Sequence, residues 1–328
     1  MGLTILWLIV KAAILGLAVT TSAAVFLIFF RKGLGWFAYR PGPNRVGPWG
    51  LMQPIADVVK MLFKEDIIPD DADPIVFRLA PIIAFFVALA VWVVIPWGPV
   101  DHLTQTMADP NAGILAFLAL SALSVYGVAL GGWASQSKYS LLGSMRSTAQ
   151  MISYELSMGM AIVGVILMAG STRMSDIIAA QHIWNIVPQF LGFVVFFIAS
   201  LAEAAWTPFD LPEAEAELVG GYNTEYAGMR FGLFFLTELV HAITACAMIT
   251  VLYLGGWHAP FGLTMIPGVV WFITKVAILL FVLIWIKATW PRFRYDRLMS
   301  FGWKVMLPVS ALNLVGTAIY VALYAPKA

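Results

Sequence analysis

Asp210, Glu213, Glu215, Glu217 and Glu225 fall within FDLPEAEAELVGGYNTEY, residues 209–226, with no Lys or Arg among them. Asp210, Glu213 and Glu217 are spaced i, i+3, i+7, so a helix would put them on one face. Like charges held that close raise one another's pKa, and removal from water raises them further. Carboxylates poised near neutral pH suit the uptake and hand-over of protons. Two plainer readings stand beside this one. Asp210 and Glu213 have the spacing of a capping box, with Pro212 in the first turn and Gly220-Gly221 at the end. An acidic face could also dock a basic partner. Capping accounts for Asp210 and Glu213 and leaves Glu217 and Glu225 unexplained.

Further ionisable residues sit in strongly apolar surroundings: Glu155, Glu203 and Glu238, with Lys11 and Lys275 on the cationic side. A charge at membrane depth is expensive and marks a functional site by default. Glu155 is either hydrogen-bonded to Tyr154 or a neighbouring helix, or is a proton-path acid. His241 follows Glu238 by three residues on the same helical face, as a satisfied polar pair or as part of a path. Other chemistry is excluded. The one cysteine, Cys246, rules out an internal disulfide, an iron–sulfur cluster and a Cys-ligated zinc. Of the four histidines, His102, His182, His241 and His258, only His241 lies mid-span, too few for a transmembrane bis-His haem. Neither a nucleotide-binding glycine motif nor HExxH is present. Electrons, if any are involved, arrive on another chain.

The elements that must hold these residues are membrane spans. The chain has 328 residues, is 61% hydrophobic and only 11% charged, against about a quarter charged in a soluble domain. Its apolar runs are continuous rather than alternating, which predicts an all-α polytopic protein and not a strand barrel. Eight spans are expected, at about 3–29, 76–97, 112–133, 147–170, 187–206, 231–254, 266–288 and 303–324, in a single membrane domain over 1–328. The first is too long for a signal-peptide core and is read as retained. Of the 19 basic residues, only Lys11, Arg173, Lys275 and Lys327 lie outside the odd-numbered connections and the span ends beside them. Those connections are therefore cytoplasmic, with both termini on the opposite side. The acid-rich stretch is the connection after span five. In the first connection, RPGPNRVGPWG (40–50) cannot be helical. LMQPIADVVKMLFKED (51–66) then reads as an amphipathic helix, with Gln53, Asp57, Lys60 and Lys64 on one face and Leu51, Ile55, Val58, Val59 and Leu62 opposite. It is either a surface anchor or the wall of an access slot for a lipid-like ligand. No internal repeat is evident, which weighs against an inverted-repeat transporter.

Four blocks together, GPNRVGPWGLMQPIADVVKMLFKED (42–66), SKYSLLGSMRSTAQMISYE (137–155), PFDLPEAEAELVGGYNTEY (208–226) and PRFRYDRLMSFGWKVMLP (291–308), resemble the quinone-site membrane subunit of respiratory complex I, the proton-translocating NADH:quinone oxidoreductase. The resemblance covers essentially the whole chain and the third block is highly specific. It implies a subunit where the peripheral redox arm docks, in the bacterial inner membrane, with both termini periplasmic. It implies a quinone chamber touching Arg40, Pro43, Asn44, Arg45, Gln53, Asp57, Lys60, Phe209, Arg294, Tyr295 and Asp296. It also implies a proton-coupling path through Glu155, Glu203, Asp210, Glu213, Glu215, Glu217, Glu225 and Glu238. Quinone (ubiquinone or a relative) is the substrate. FMN and iron–sulfur clusters belong to partner subunits, and this chain is expected to bind no cofactor and no metal. The implied partners are the peripheral-arm quinone-site subunits, the antiporter-like membrane subunits and membrane lipids, with no nucleic acid. Two departures stand out. The family usually carries Glu where this chain has Phe30, and Arg where it has Trp206. An ion pair replaced by an aromatic contact would explain both. The anchoring subunit of a membrane-bound hydrogenase, or a lone proton-linked transporter, are the rival readings.

Overall fold

The computed structural model describes residues 2–99, 108–211, 219–260 and 265–324. Among these, every regular element is helical. The helices are α1 (Gly2–Phe37), α2 (Gln53–Phe63), α3 (Pro74–Ala90), α4 (Gly113–Ala134), α5 (Lys138–Ala169), α6 (Met174–Ala180), α7 (Phe190–Glu203), α8 (Gly228–Tyr253), α9 (Gly268–Thr289), α10 (Tyr295–Phe301) and α11 (Leu307–Tyr324). A π-helical turn, Gly302–Met306, joins α10 to α11, so the two run on as one apolar helix.

Seven helices among the described residues are long and apolar enough to cross a membrane, and the chain is a multi-pass membrane protein. Large apolar side chains lie exposed on several of them, including Leu17 on α1, Phe86 on α3, Ile278 on α9 and Leu312 on α11. Exposed apolar surface on this scale needs a lipid or protein neighbour. The fifth expected span differs. Its helix, α7, stops at Glu203 rather than at 206, and is shorter than the other seven. Ala205 takes a left-handed φ of 54°, so the chain turns away three residues early.

Two helices overrun their expected limits in the other direction. α1 continues past residue 29 to Phe37, which puts Arg31 and Lys32 on the helix rather than in a loop. α5 begins at Lys138 rather than 147, and so carries Arg146 in its early turns. At about 1.5 Å per residue, its 32 residues extend well beyond a hydrocarbon core of about 30 Å.

α8 lies at the centre, touching α1, α2, α3, α6, α7 and α9. Leu239, Val240, Ala242 and every residue from Cys246 to Tyr253 are buried. The last carbonyls of a helix lack intrahelical donors, and here side chains supply them. Gln181 Nε2 donates to Val251 O (2.8 Å) and Asn185 Nδ2 to Leu252 O (2.9 Å). Lys275 Nζ donates to the carbonyls of Leu254, Gly256 and His258 at 2.6–2.9 Å, and lies 4.7 Å from the Trp184 ring. That set of partners explains how Lys275 sits buried within a span.

Candidate functional site

The extended half of α5 holds the acid-rich stretch at both ends. On the entering side, Gln150 Nε2 donates to Ala202 O (2.7 Å) and to Phe209 O (2.8 Å). One fully buried amide thus caps α7 and pins the turn that follows it. Tyr154, one turn on, packs its ring 5.6 Å from Phe209 and donates its hydroxyl to Leu298 O (3.0 Å). The segment before α10 closes this side: Phe293 N donates to Pro208 O (3.0 Å) and Arg292 to Asp210 O (3.3 Å). On the leaving side, Ser140 Oγ donates to Tyr222 O (3.1 Å). A Cβ on Gly143 would stand 2.7 Å from Gly221 Cα, so the two backbones meet at glycine. Tyr226 stacks on Phe77 with centroids 4.1 Å apart and planes at 5°, and donates its hydroxyl to Gly131 O (3.2 Å). Burial pushes the Tyr226 phenol up, while a Ser135 hydrogen bond and nearby Arg230 pull the other way.

The expected proton-path residues divide accordingly. Glu213, Glu215 and Glu217 lie outside the described residues, as does the capping box that Glu213 would close. Asp210 and Glu225 are half-buried at the two clamped ends. Glu155 on α5 and Glu203 at the end of α7 lie close enough for their charges to interact, and Ser121 of α4 lines the same small cavity as Glu203. Glu155 does not take the Tyr154 hydroxyl, which goes to Leu298. Glu238 lies half-buried on α8.

The first loop is irregular as expected. Gly47, Trp49 and Gly50 all have φ between 58° and 74°, and a Cβ on Gly50 would overlap Pro43 O at 2.1 Å. α2 then presents Ile55, Val58, Val59 and Leu62 outward, each 46–61% exposed. Of its polar face, Gln53 and Asp57 turn inward while Lys60 and Lys64 stay exposed. Asp57 accepts from Arg31 of α1 (2.5 Å) and from Gln53 (3.1 Å), with Lys60 Nζ at 3.8 Å. Arg31 is a partner that its placement in a loop had hidden.

A cavity of about 510 Å³ opens between α2, the exit of the acid stretch and the start of α8. Lys60 and Lys64 stand on one wall, Asn223 and Tyr226 on another, and Phe231 and Phe235 on a third. This is the size of a small-molecule site, apolar with a few fixed polar groups. Of the chamber residues expected from the sequence, Lys60 lines it. Pro43 and Gln53 meet instead in a tight seam against Arg31. Arg40, Asn44 and Arg45 are on the surface of the first loop. Phe209 is buried in the clamp. Arg294 pairs with Asp296 in the open (3.0 Å), and Tyr295 lies under the Arg146 guanidinium at 5.4 Å.

The two departures from the resemblance meet in space. Trp206 stacks on Phe26 (5.7 Å) and meets Phe30 edge-on (5.1 Å). Lys287 Nζ lies 5.2 Å from the Phe30 ring and 4.8 Å from the Trp206 ring, within cation–π range of both.

Gln150 carries no signal in sequence beyond being one more small polar residue in SMRSTAQMISYEL. Ser121 gives none. Long-range polar contacts of that kind become visible only when helices are placed.

Comparison with known proteins supports one family. A "NADH dehydrogenase" family model matches residues 10–318. The chain is 68% identical over 324 residues to an NADH-quinone oxidoreductase subunit of Symbiobacterium thermophilum, covering 98% of this chain and 99% of that one. It is 52% identical to an NADH-quinone oxidoreductase subunit of Brevibacillus brevis, over 97% of this chain and 94% of that one. It is 50% identical to an NADH-quinone oxidoreductase subunit of Geobacter metallireducens, over 94% of each. With matches that run nearly end to end, on a helical membrane bundle, the chain belongs to the NADH dehydrogenase family.

Proposed function

We propose that this chain is a membrane subunit of a proton-translocating NADH:quinone oxidoreductase, forming the quinone access slot and the first part of the proton-coupling path. The observation that carries the slot is the cavity beside α2: an isoprenoid quinone needs an aromatic-lined passage between lipid and a polar interior, and Phe231, Phe235 and Tyr226 with Lys60 and Lys64 supply both faces. α2 lies in the membrane plane with Ile55, Val58, Val59 and Leu62 toward lipid. α7 is the eighth span, and the chain is one membrane domain in a bacterial inner membrane with both termini periplasmic.

The peripheral-arm quinone-site subunits dock on the irregular first loop and the Arg292–Arg297 segment. FMN and iron–sulfur clusters reside on partner subunits, with the antiporter-like subunits alongside in the membrane. Quinone reduction takes up two protons. The resulting change of charge beside the acid-rich stretch passes to Glu203 and Glu155, which already interact.

The test is purification through a tag on this chain in mild detergent, with assay of NADH-dependent reduction of a short-chain quinone. Activity in a large complex, lowered when Phe231→Trp narrows the slot while assembly is intact, is the expected result. A complex that oxidises hydrogen and ignores NADH would point instead to the hydrogenase anchor, and a monodisperse single chain to a transporter.

A further inference from the structure

A second, much smaller cavity lies deep in the bundle where α4, α5, α7 and α8 meet. Its volume is about 20 Å³, above the 10–15 Å³ or so that one water requires. A cavity that small serves a water only if polar groups converge on it. Glu203, His241, Ser121, Ser200 and Thr244 all line it, among apolar neighbours such as Met158 and Phe196.

The hydrogen-bonding capacity of these groups fits one water. Thr244 Oγ1 accepts from Trp92 Nε1 (2.8 Å), which leaves its own proton to give. Ser200 Oγ donates to Phe197 O (2.9 Å), which leaves its lone pairs to accept. Ser121 Oγ donates to Leu118 O (3.1 Å), which leaves its lone pairs to accept. The carboxyl of Glu203 and the imidazole of His241 remain as the two groups able to exchange a proton through the site. The sequence pairs His241 with Glu238, one turn earlier on α8; the cavity gives it a second neighbour, on another helix.

We propose that this cavity binds one water and that His241 is a proton-carrying group linked through it to Glu203. The proposal rests on the proton-linked reading above and adds α8 to it. A proton on Glu203 passes to the water as the water passes one of its own to the imidazole. Glu203 becomes a carboxylate, His241 an imidazolium, and the water is regenerated. Charge, atoms and protons balance with no other reactant.

The experiment uses the intact complex, purified through a tag on this chain. Infrared difference spectra are recorded between acid and alkaline buffer, and proton translocation per NADH oxidised is measured in vesicles. A carboxylic C=O band absent from Glu203→Gln identifies Glu203. If the water joins the two groups, that band shifts in His241→Gln and also in Ala245→Val, which fills the cavity and keeps both titratable groups. Translocation per NADH then falls by about tenfold in both variants. The proposal is overturned if the Glu203 band keeps its wild-type position in both variants, or if no band is lost in Glu203→Gln. Should His241→Gln not assemble, Ala245→Val decides. The buffer-driven spectra need no quinone. A wild-type complex inactive with NADH and quinone therefore overturns the proposed function while the water site is still read.

Discussion

Lys287 changes what residues 30 and 206 can be expected to do. Its ammonium stands beside both rings, so Phe30→Glu introduces an acid next to an existing cation. Trp206→Arg removes a side chain that is 1% exposed and sets a second cation beside Lys287. The single Trp206→Arg change should therefore be the worse, costing about 3–5 kcal/mol from the lost ring alone. Phe30→Glu should be milder, and the double variant should recover part of the Trp206→Arg loss. The thermal inactivation midpoint of the purified complex measures all three. A double variant as damaged as the sum of the singles would show that the two positions do not share an interaction. A second residue acts on the other side of the protein. Burial, with Lys275 and His182 nearby, holds the His258 imidazole below its ordinary value. The folded form thus favours neutral His258, and the stability this contributes is present above the ordinary histidine pKa of about 6.5 and lost as pH falls below it. Lowering the pH on that side from 7 to 5 should loosen the loop after α8, read as lower amide-exchange protection at Gly255–His258 once the intrinsic pH dependence of exchange is divided out, and His258→Asn should flatten the dependence. At this scale the sequence is informative where a residue type clashes with its surroundings. Acids in an apolar chain, and an aromatic pair where an ion pair is expected, both announce themselves. Gln150 does not, because its two bonds reach carbonyls 52 and 59 residues away.

Among the elements, α5 has the widest consequences. The same helix that spans the membrane reaches out to clamp the acid stretch through Gln150 and Tyr154 on one side and Ser140 and Gly143 on the other. Gln150→Leu keeps the volume, strands the Phe209 carbonyl and leaves Ala202 O only its backbone donors, Ala205 N among them (3.3 Å), at a cost of about 1–3 kcal/mol. We expect the complex to assemble, amide exchange over 204–211 to quicken, and quinone-linked proton translocation to drop. Unchanged exchange would mean that the turn is held by the Phe293 and Arg292 contacts alone. The helices themselves are legible from apolarity, and the surprises come at their ends. Hydropathy continues unbroken through Ala204, Ala205 and Trp206, so it cannot mark the stop at Glu203. The available signal is Pro208, which biases the residue before it away from helix. α5 misleads in the opposite sense: Ser, Gly, Lys and Arg in its first turns read as a loop, and tertiary contacts make them helix.

For the whole molecule, the asymmetry of Lys and Arg predicts an orientation that a labelling experiment can check. The native Cys246 is fully buried, which gives a quiet background. His182→Cys, in the loop between α6 and α7, should react with a membrane-impermeant maleimide in intact cells. Arg45→Cys, in the first loop, should react only after the cells are opened. The reverse pattern would invert the topology and move the acid stretch to the other face. The large cavity beside α2 is a property of this scale as well. It is enclosed by three segments far apart in the chain, so the sequence could name one of its walls, the amphipathic helix, and not the space.

The early stop of α7 has an electrical meaning. Fourteen residues at about 1.5 Å each give a helix of about 21 Å. On the proposed topology, with Phe190 at the periplasmic edge of a hydrocarbon core about 30 Å thick, Glu203 would lie about 9 Å below the cytoplasmic edge. A proton arriving there from the cytoplasm has crossed roughly a third of the membrane field, where the full drop is worth about 2.3 kcal/mol per 100 mV. On the proposed topology and proton path, Glu203 would therefore sense voltage as well as hold a proton, and a respiring membrane would set, through its own potential, how readily it is loaded.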